Sequence, residues 1–252
     1  RMRLPHFILV LAVLLAGFLA PEPASAQTQD LRVLFLGDDG HHEPELRAKQ
    51  VLPVLAAEGI HLTYTDDQSD LRPQVLGRYD ALLIYGNRTG LPDDQERALL
   101  DYVAKGGGLV ALHSASGSFN DAPAFVNLIG GTFHRHGTGV FSTDRIRPDH
   151  PAIRGLPELE SWDETYVHDH HNPDRTVLGV RRYGPGERRA EPWTWVRTHG
   201  EGRVFYTAWG HDERTWSKEA FHRLLERGVR WAAGGGTIGQ PAPEEPFEYV
   251  SA

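Results

Sequence analysis

The chain has 252 residues, with 26 Lys and Arg against 34 Asp and Glu, a formal charge of −8 and no cysteine. The acidic balance disfavours nucleic acid and anionic membrane as partners. The absence of a thiol excludes disulfides, a cysteine nucleophile and thiolate metal sites, so any nucleophile or metal ligand must be oxygen or imidazole.

Arg1 and Arg3 precede an apolar run over residues 7–19, and the small residues Ala24, Ser25 and Ala26 follow. That order is the pattern of a secretory signal peptide, residues 1–26, with cleavage expected after Ala26 and a periplasmic or secreted location. The run is shorter than the roughly 20 residues needed to span a bilayer, so no integral membrane domain is expected. Beyond it remain 24 basic and 33 acidic side chains, a charge of −9, on a length that suits a single domain over 27–239. Residues 240–252, QPAPEEPFEYVSA, read as a Pro- and Glu-rich tail extending over the surface or into solvent.

Within the domain, LRVLFLG (31–37) predicts a buried strand, and PELRAKQVLPVLAAEG (44–59) a helix started by Pro44 and kinked by Pro53. IHLTYT and DALLIYGN predict two further strands. LPDDQERALLDYVAKGGG predicts a helix with acids in its first turn and glycine at its end, and LVALH a fourth strand. TVLGVRRYG predicts another strand, EPWTWVRT and GRVFYTAWG a hairpin across HGEG, and KEAFHRLLERGVRWAAGG a closing helix. Apolar strands alternating with helices imply an α/β fold with a doubly wound, mainly parallel sheet and a β-hairpin extension. Ligands of such sheets bind beyond the carboxyl ends of the strands, which places residues 37–43, 86–89 and 113–118 at one rim.

Thirteen of the fourteen histidines lie beyond residue 26, many in loops beside acids: DDGHHEPE, LHSAS, TFHRHG, DETYVHDHHNPD and AWGHDE. His113 ends an otherwise apolar strand, so it is either an imidazole aimed into the cleft or a histidine bonded to backbone at the sheet edge. Ser114 follows it without a G-x-S-x-G elbow, which argues against a serine hydrolase and leaves a substrate contact. His41 and His42 precede a helix N-terminus, with His41 expected to face the cleft. His134 and His136 are two apart, and alternation would put Glu164, Tyr166 and His168 on one side of an extended segment. His211 with Asp212 suggests an imidazole and its orienting carboxylate, and Trp209 a surface on which a sugar could stack. Imidazole with carboxylate suits zinc or manganese, with His41, His113, His134 and His168 the candidate ligands, although no H-E-x-x-H template is present.

The series LVALHSAS, LIGGTFHRHG, HPAIRGLPE, DETYVH and EPWTWVRTHGEGRVFYTAWGHDERTW, in that order, resembles the ThuA-like family, named for trehalose utilisation, over residues 31–233. The resemblance implies a flavodoxin-like fold of the class I glutamine amidotransferase-like superfamily. In true amidotransferases the strand matching LVALH leads to a cysteine elbow; with His113-Ser114 there instead, cysteine-dependent glutamine hydrolysis is excluded. It also implies carbohydrate metabolism, with a saccharide or keto-glycoside as substrate and His41, His113, His134, Glu164, His168 and His211 at the site. Three readings stay open: His113, Glu164, His211 and Asp212 as acid/base catalysts, metal-assisted hydrolysis, and a non-catalytic saccharide-binding module. The sequence leaves a homo-oligomer open.

Overall fold

The computed structural model describes residues 30–184, 188–234 and 247–249. The alternation read from the sequence is present: β1 (Leu31–Leu36), α1 (Pro44–Ala57), β2 (Ile60–Thr65), α2 (Pro73–Leu76), β3 (Ala81–Ile84), α3 (Asp93–Ala104) and β4 (Gly108–Leu112) follow in turn. The strands are apolar because both faces of the sheet are covered: every residue of β3 and β4 is buried. Pro44 occupies the first turn of α1, and the helix runs on through Pro53, where the proline costs one helical hydrogen bond.

After α4 (Pro123–Ile129) the chain leaves the main sheet. β5 (Thr132–Arg135), β6 (Thr138–Ser142), the short β7 (Asp144–Arg145), β8 (Glu160–Glu164) and β9 (Val167–Asp169) follow, with β5 paired antiparallel to β9 and β6 to β8 in two small sheets. It then returns through β10 (Thr176–Arg182), β11 (Arg189–His199) and β12 (Gly202–Thr207), and closes with α5 (Glu213–Trp216) and α6 (Glu219–Ala233). The main sheet runs β2-β1-β3-β4-β12-β11-β10-β7. Its first five strands are parallel, the flavodoxin-like order, and β11, β10 and β7 extend it antiparallel.

The expected hairpin is β11–β12, turning at Gly200 (φ 59°) and Glu201. Trp195 of β11 stacks on Tyr206 of β12 with ring centroids 4.0 Å apart. The tail does not wholly leave the fold: Phe247 is buried, and β13 (Glu248–Tyr249) pairs parallel with the start of β11. The remainder of 240–252, residues 185–187 and the expected signal peptide lie outside the described residues. Among the described residues no helix is long and apolar enough to cross a membrane.

At Gly202, where β12 leaves the turn, a Cβ atom would collide with the carbonyl oxygens of Val103 and Gly107. Backbone cannot swing aside as a side chain can. Gly202→Ala should therefore lower stability by about 1–3 kcal/mol in urea unfolding, the usual range for overpacking, and an unchanged midpoint would contradict this packing.

Candidate functional site

β4 points its carboxyl end at the rim, and the next residue is His113, with no exposed surface and φ at 45°. A non-glycine residue in the left-handed region costs on the order of 1–2 kcal/mol and persists only where its surroundings hold it. Here the hold is visible. His113 Nδ1 donates to the Ala208 carbonyl at 2.7 Å, which leaves Nε2 as an acceptor on the cleft side. Tyr166 stacks on the imidazole at 4.3 Å, and its hydroxyl donates to Nε2 at 3.0 Å. Glu164 Oε2 lies 3.3 Å from the same nitrogen.

Two more imidazoles close on this pair. His42, His113, Glu164 and His211 each offer a ligand atom, and all four atoms lie within 4.8 Å of one another. His211 Nδ1 is 3.3 Å from Glu164 Oε1 without hydrogen-bond geometry. His42 Nε2 and His211 Nδ1 are buried with no hydrogen-bond partner, which normally costs about 1–3 kcal/mol per group. Three imidazoles and a carboxylate are the donor set of a zinc, manganese or similar divalent site, and such an ion would satisfy both unpartnered nitrogens.

The electrostatics agree with that donor set. Burial, followed by the neighbouring imidazoles of His113, His41 and His211, pushes His42 down to about 2, so it stays neutral and able to ligate. Burial alone would raise the Glu164 carboxyl, but its contacts with His113 and His211 outweigh that and hold it well below the usual carboxylate range. The same Glu164 contact raises His211 against the effect of burial.

Asp163, fully buried beside Glu164, holds the group together. Its carboxylate accepts from the backbone N–H of Glu164 at 2.8 Å, of Gly210 at 3.0 Å and of His211 at 3.2 Å, and from the Thr215 hydroxyl at 2.6 Å. It thereby clips the end of β8 to the loop after β12, and so Glu164 to His211. At the rim, Asn87 N–H donates to Asp38, and the Ser118 hydroxyl donates to the Gly86 carbonyl at 2.6 Å, so the three predicted rim loops are joined.

Other expectations need correction. His41 is exposed, its ring tilted against that of His42 with centroids 4.0 Å apart; Glu43 turns left-handed at φ 55° and bonds back to Gly40, and within this turn His42 is the buried member of the pair. His134 pairs with Asp169 at 2.9 Å, outside the four-residue group. His168 is fully buried, with Nδ1 donating to Glu191 at 2.8 Å and Nε2 3.0 Å from the Tyr206 hydroxyl, so its role is internal. Asp212 caps α5 and pairs with Arg214; the carboxylates at His211 are Asp163 and Glu164. Trp209 is buried against Phe141 at 4.6 Å and offers no face to a sugar. Ser114 is buried in the turn after His113 with its hydroxyl unpartnered. His136, with Nε2 3.5 Å from Glu164 and its side chain 40% exposed, stands at the mouth.

Fold and site together define a flavodoxin-like α/β protein whose elbow carries histidine. Residues 32–232 match the ThuA family, described as trehalose utilisation, and the chain belongs to that family. No curated protein matches the sequence. Among solved structures, a ThuA-like protein from Bacteroides uniformis superposes with a TM-score of 0.68 at 20% identity, covering 86% of this chain and 95% of that one. A ThuA-like protein from Parabacteroides merdae gives 0.65 at 20% identity over 85% and 95%. A β-galactosidase from Bacillus circulans gives 0.57 at 13% identity over 82% of this chain and 32% of that one. At these identities the likeness is one of fold.

Asp163→Asn leaves one acceptor oxygen facing donors that had two, and should cost about 3 kcal/mol of stability. Asp212→Asn, at a partly exposed pair, should cost under about 1 kcal/mol. Denaturant unfolding of the two variants checks this, and equal losses would contradict the role given to Asp163. In the metal-free protein, His42 and His168 are held neutral by burial and bind protons only on unfolding, below about 6.5. Stability should therefore fall between pH 7.5 and pH 5.5, since His211, shifted upward, opposes only part of the effect. Urea midpoints that stay level or rise on acidification would contradict it.

Proposed function

We propose that this chain is an exported, metal-dependent enzyme of carbohydrate metabolism acting on a saccharide or keto-glycoside. One observation carries the metal-dependent reading: His42, His113, Glu164 and His211 bring four ligand atoms within 4.8 Å of one another, and His42 and His211 each keep a buried ring nitrogen with no hydrogen-bond partner. The carbohydrate reading comes from the family's description. Export rests on the Arg1, Arg3, apolar 7–19 and Ala24–Ala26 pattern.

A divalent ion on these four residues would supply a Lewis acid for a substrate carbonyl or hydroxyl oxygen. The chain supplies the rest. His42, held neutral by burial, presents a lone pair without having to lose a proton first, and His113, bonded through Nδ1 to the Ala208 carbonyl, turns Nε2 toward the group. Burial keeps the Tyr166 phenol protonated, so it remains a hydrogen-bond donor beside the group for an oxygen that gains charge during the reaction. His136, at the open side of Glu164, is the exposed group that can exchange a proton with solvent. In an elimination from a keto-glycoside, the C–H bond beside the keto group and the glycosidic C–O bond break. His136 takes the proton and returns it to the departing oxygen to give the free sugar and an unsaturated ketone, and the Tyr166 hydroxyl donates to the enolate oxygen between the two events.

Elemental analysis of protein starting at Gln27, purified without a polyhistidine tag and dialysed against metal-free buffer, should find about one divalent ion per chain. Glu164→Gln should weaken its binding more than about tenfold, beyond what loss of an outer partner costs at the least. Turnover of a keto-glycoside, read by release of the free sugar, should follow metal content. A wild-type chain that holds no ion overturns the metal reading, and one that binds sugar with metal present but forms no product is a binding module instead.

A further inference from the structure

The histidine-rich stretch 168–172 contributes nothing to the four-residue group, yet it is built with care. His168 is the buried anchor. His170 then adopts φ 53°, a left-handed conformation that is costly for a side-chain-bearing residue. His171 packs on Tyr249 with ring centroids 4.3 Å apart. Asn172 donates its backbone N–H to the Gly130 carbonyl at 3.1 Å, and its side-chain amide to Asn127 Oδ1 at 2.5 Å. A segment held on both sides of a strained residue is a formed wall.

That wall bounds a cavity of about 520 Å³, within the roughly 300–1,000 Å³ usual for small-molecule sites. Asp169, His170, Asn120 and Asn127 line it, with Phe133 and Val126 supplying apolar surface. Its lining holds no Lys or Arg, and Asp169 is acidic, so a phosphate or carboxylate ligand is disfavoured. A wholly apolar ligand would strip water from amides and a carboxylate and give nothing back. A neutral polyhydroxylated ring satisfies both kinds of surface: its hydroxyls meet amide and carboxylate, and its C–H face meets Phe133.

The cavity also stands next to the candidate centre. The Phe133 ring lies 4.6 Å from that of Tyr166, which lies 4.3 Å from His113, and Phe133 is 5.9 Å from His136. None of the four clustered residues lines it. We infer that the cavity is a second-sugar subsite, holding the neighbouring ring of a glycoside whose reacting ring sits at His42, His113, Glu164 and His211. The inference rests on the saccharide reading above and narrows the substrate to at least a disaccharide.

Isothermal titration of the metal-loaded full chain with trehalose, maltose and cellobiose against glucose tests it. At least one disaccharide should bind ten or more times more tightly than glucose. Val126→Trp, which fills the cavity, and Phe133→Ala, which removes its aromatic wall, should each bring that disaccharide to the level of glucose while leaving glucose unchanged. Disaccharides that bind no better than glucose, or a preference that survives both substitutions, overturn the subsite and leave the saccharide reading standing. A wild-type chain that binds none of these sugars overturns the subsite, and one that in addition binds none of their keto derivatives overturns the saccharide reading.

Discussion

The buried carboxylate of Asp163 is the constraint on which the candidate site depends. The parallel strands deliver His42, His113 and, through the loop after β12, His211 to one rim, but Glu164 arrives from the separate excursion after α4. Nothing in the main sheet aligns that excursion with the loop. Four donors converging on one carboxylate do, because a fully buried anion is stable only with its hydrogen bonds made, and these can be made together only when β8 and residues 210–211 lie side by side. The same carboxylate holds Thr215, and so ties α5 to the site as well.

The parallel half of the fold is legible in the sequence because both faces of its strands are covered. LRVLFL, ALLI and LVAL are apolar without alternation, and α3 declares its ends through first-turn acids and a closing glycine. The excursion is less legible for a physical reason. TFHR, TGVFS and ESWDE mix polar and apolar residues, since their pairing is short and half solvated, and periodicity has too few residues to work on. Of the site, His113 and His211 stand just beyond strands predicted from the sequence, and Glu164 and Tyr166 were marked by their alternation along an extended segment. His42 was hidden by a single backbone conformation: the left-handed turn at Glu43 decides which of two adjacent histidines is buried, and residue order does not report it. Asp163 was hidden because its partners are backbone N–H groups, which every residue carries. Asp212, adjacent to His211 in sequence, drew the attention due to a carboxylate adjacent in space.

Histidines that look alike in sequence divide sharply by their second nitrogen. His168 has both nitrogens occupied inside the protein, by Glu191 and Tyr206, and is spent on structure. His113 is likewise bonded at both nitrogens, by the Ala208 carbonyl and the Tyr166 hydroxyl, but its Nε2 also lies 3.3 Å from Glu164, while His42 keeps a buried nitrogen with no partner. Burial without satisfaction is the more informative state, because folding has to offset it and an incoming ligand can repay it.

The elbow gives the last step of the argument. A sharp turn at the end of a central parallel strand lifts one side chain clear of the sheet, and elsewhere such turns carry a nucleophile under backbone strain. Here the strained residue is His113, and no cysteine exists in the chain to take its place. A nucleophile at that point would need open space above it for a carbonyl to attack. Instead Tyr166, Glu164, His42 and His211 crowd the imidazole, three of them within reach of a common ion. The geometry that would otherwise expose a reactive atom here fixes an imidazole among His42, Glu164 and His211, so a shared fold with covalent catalysts carries no inference of covalent catalysis.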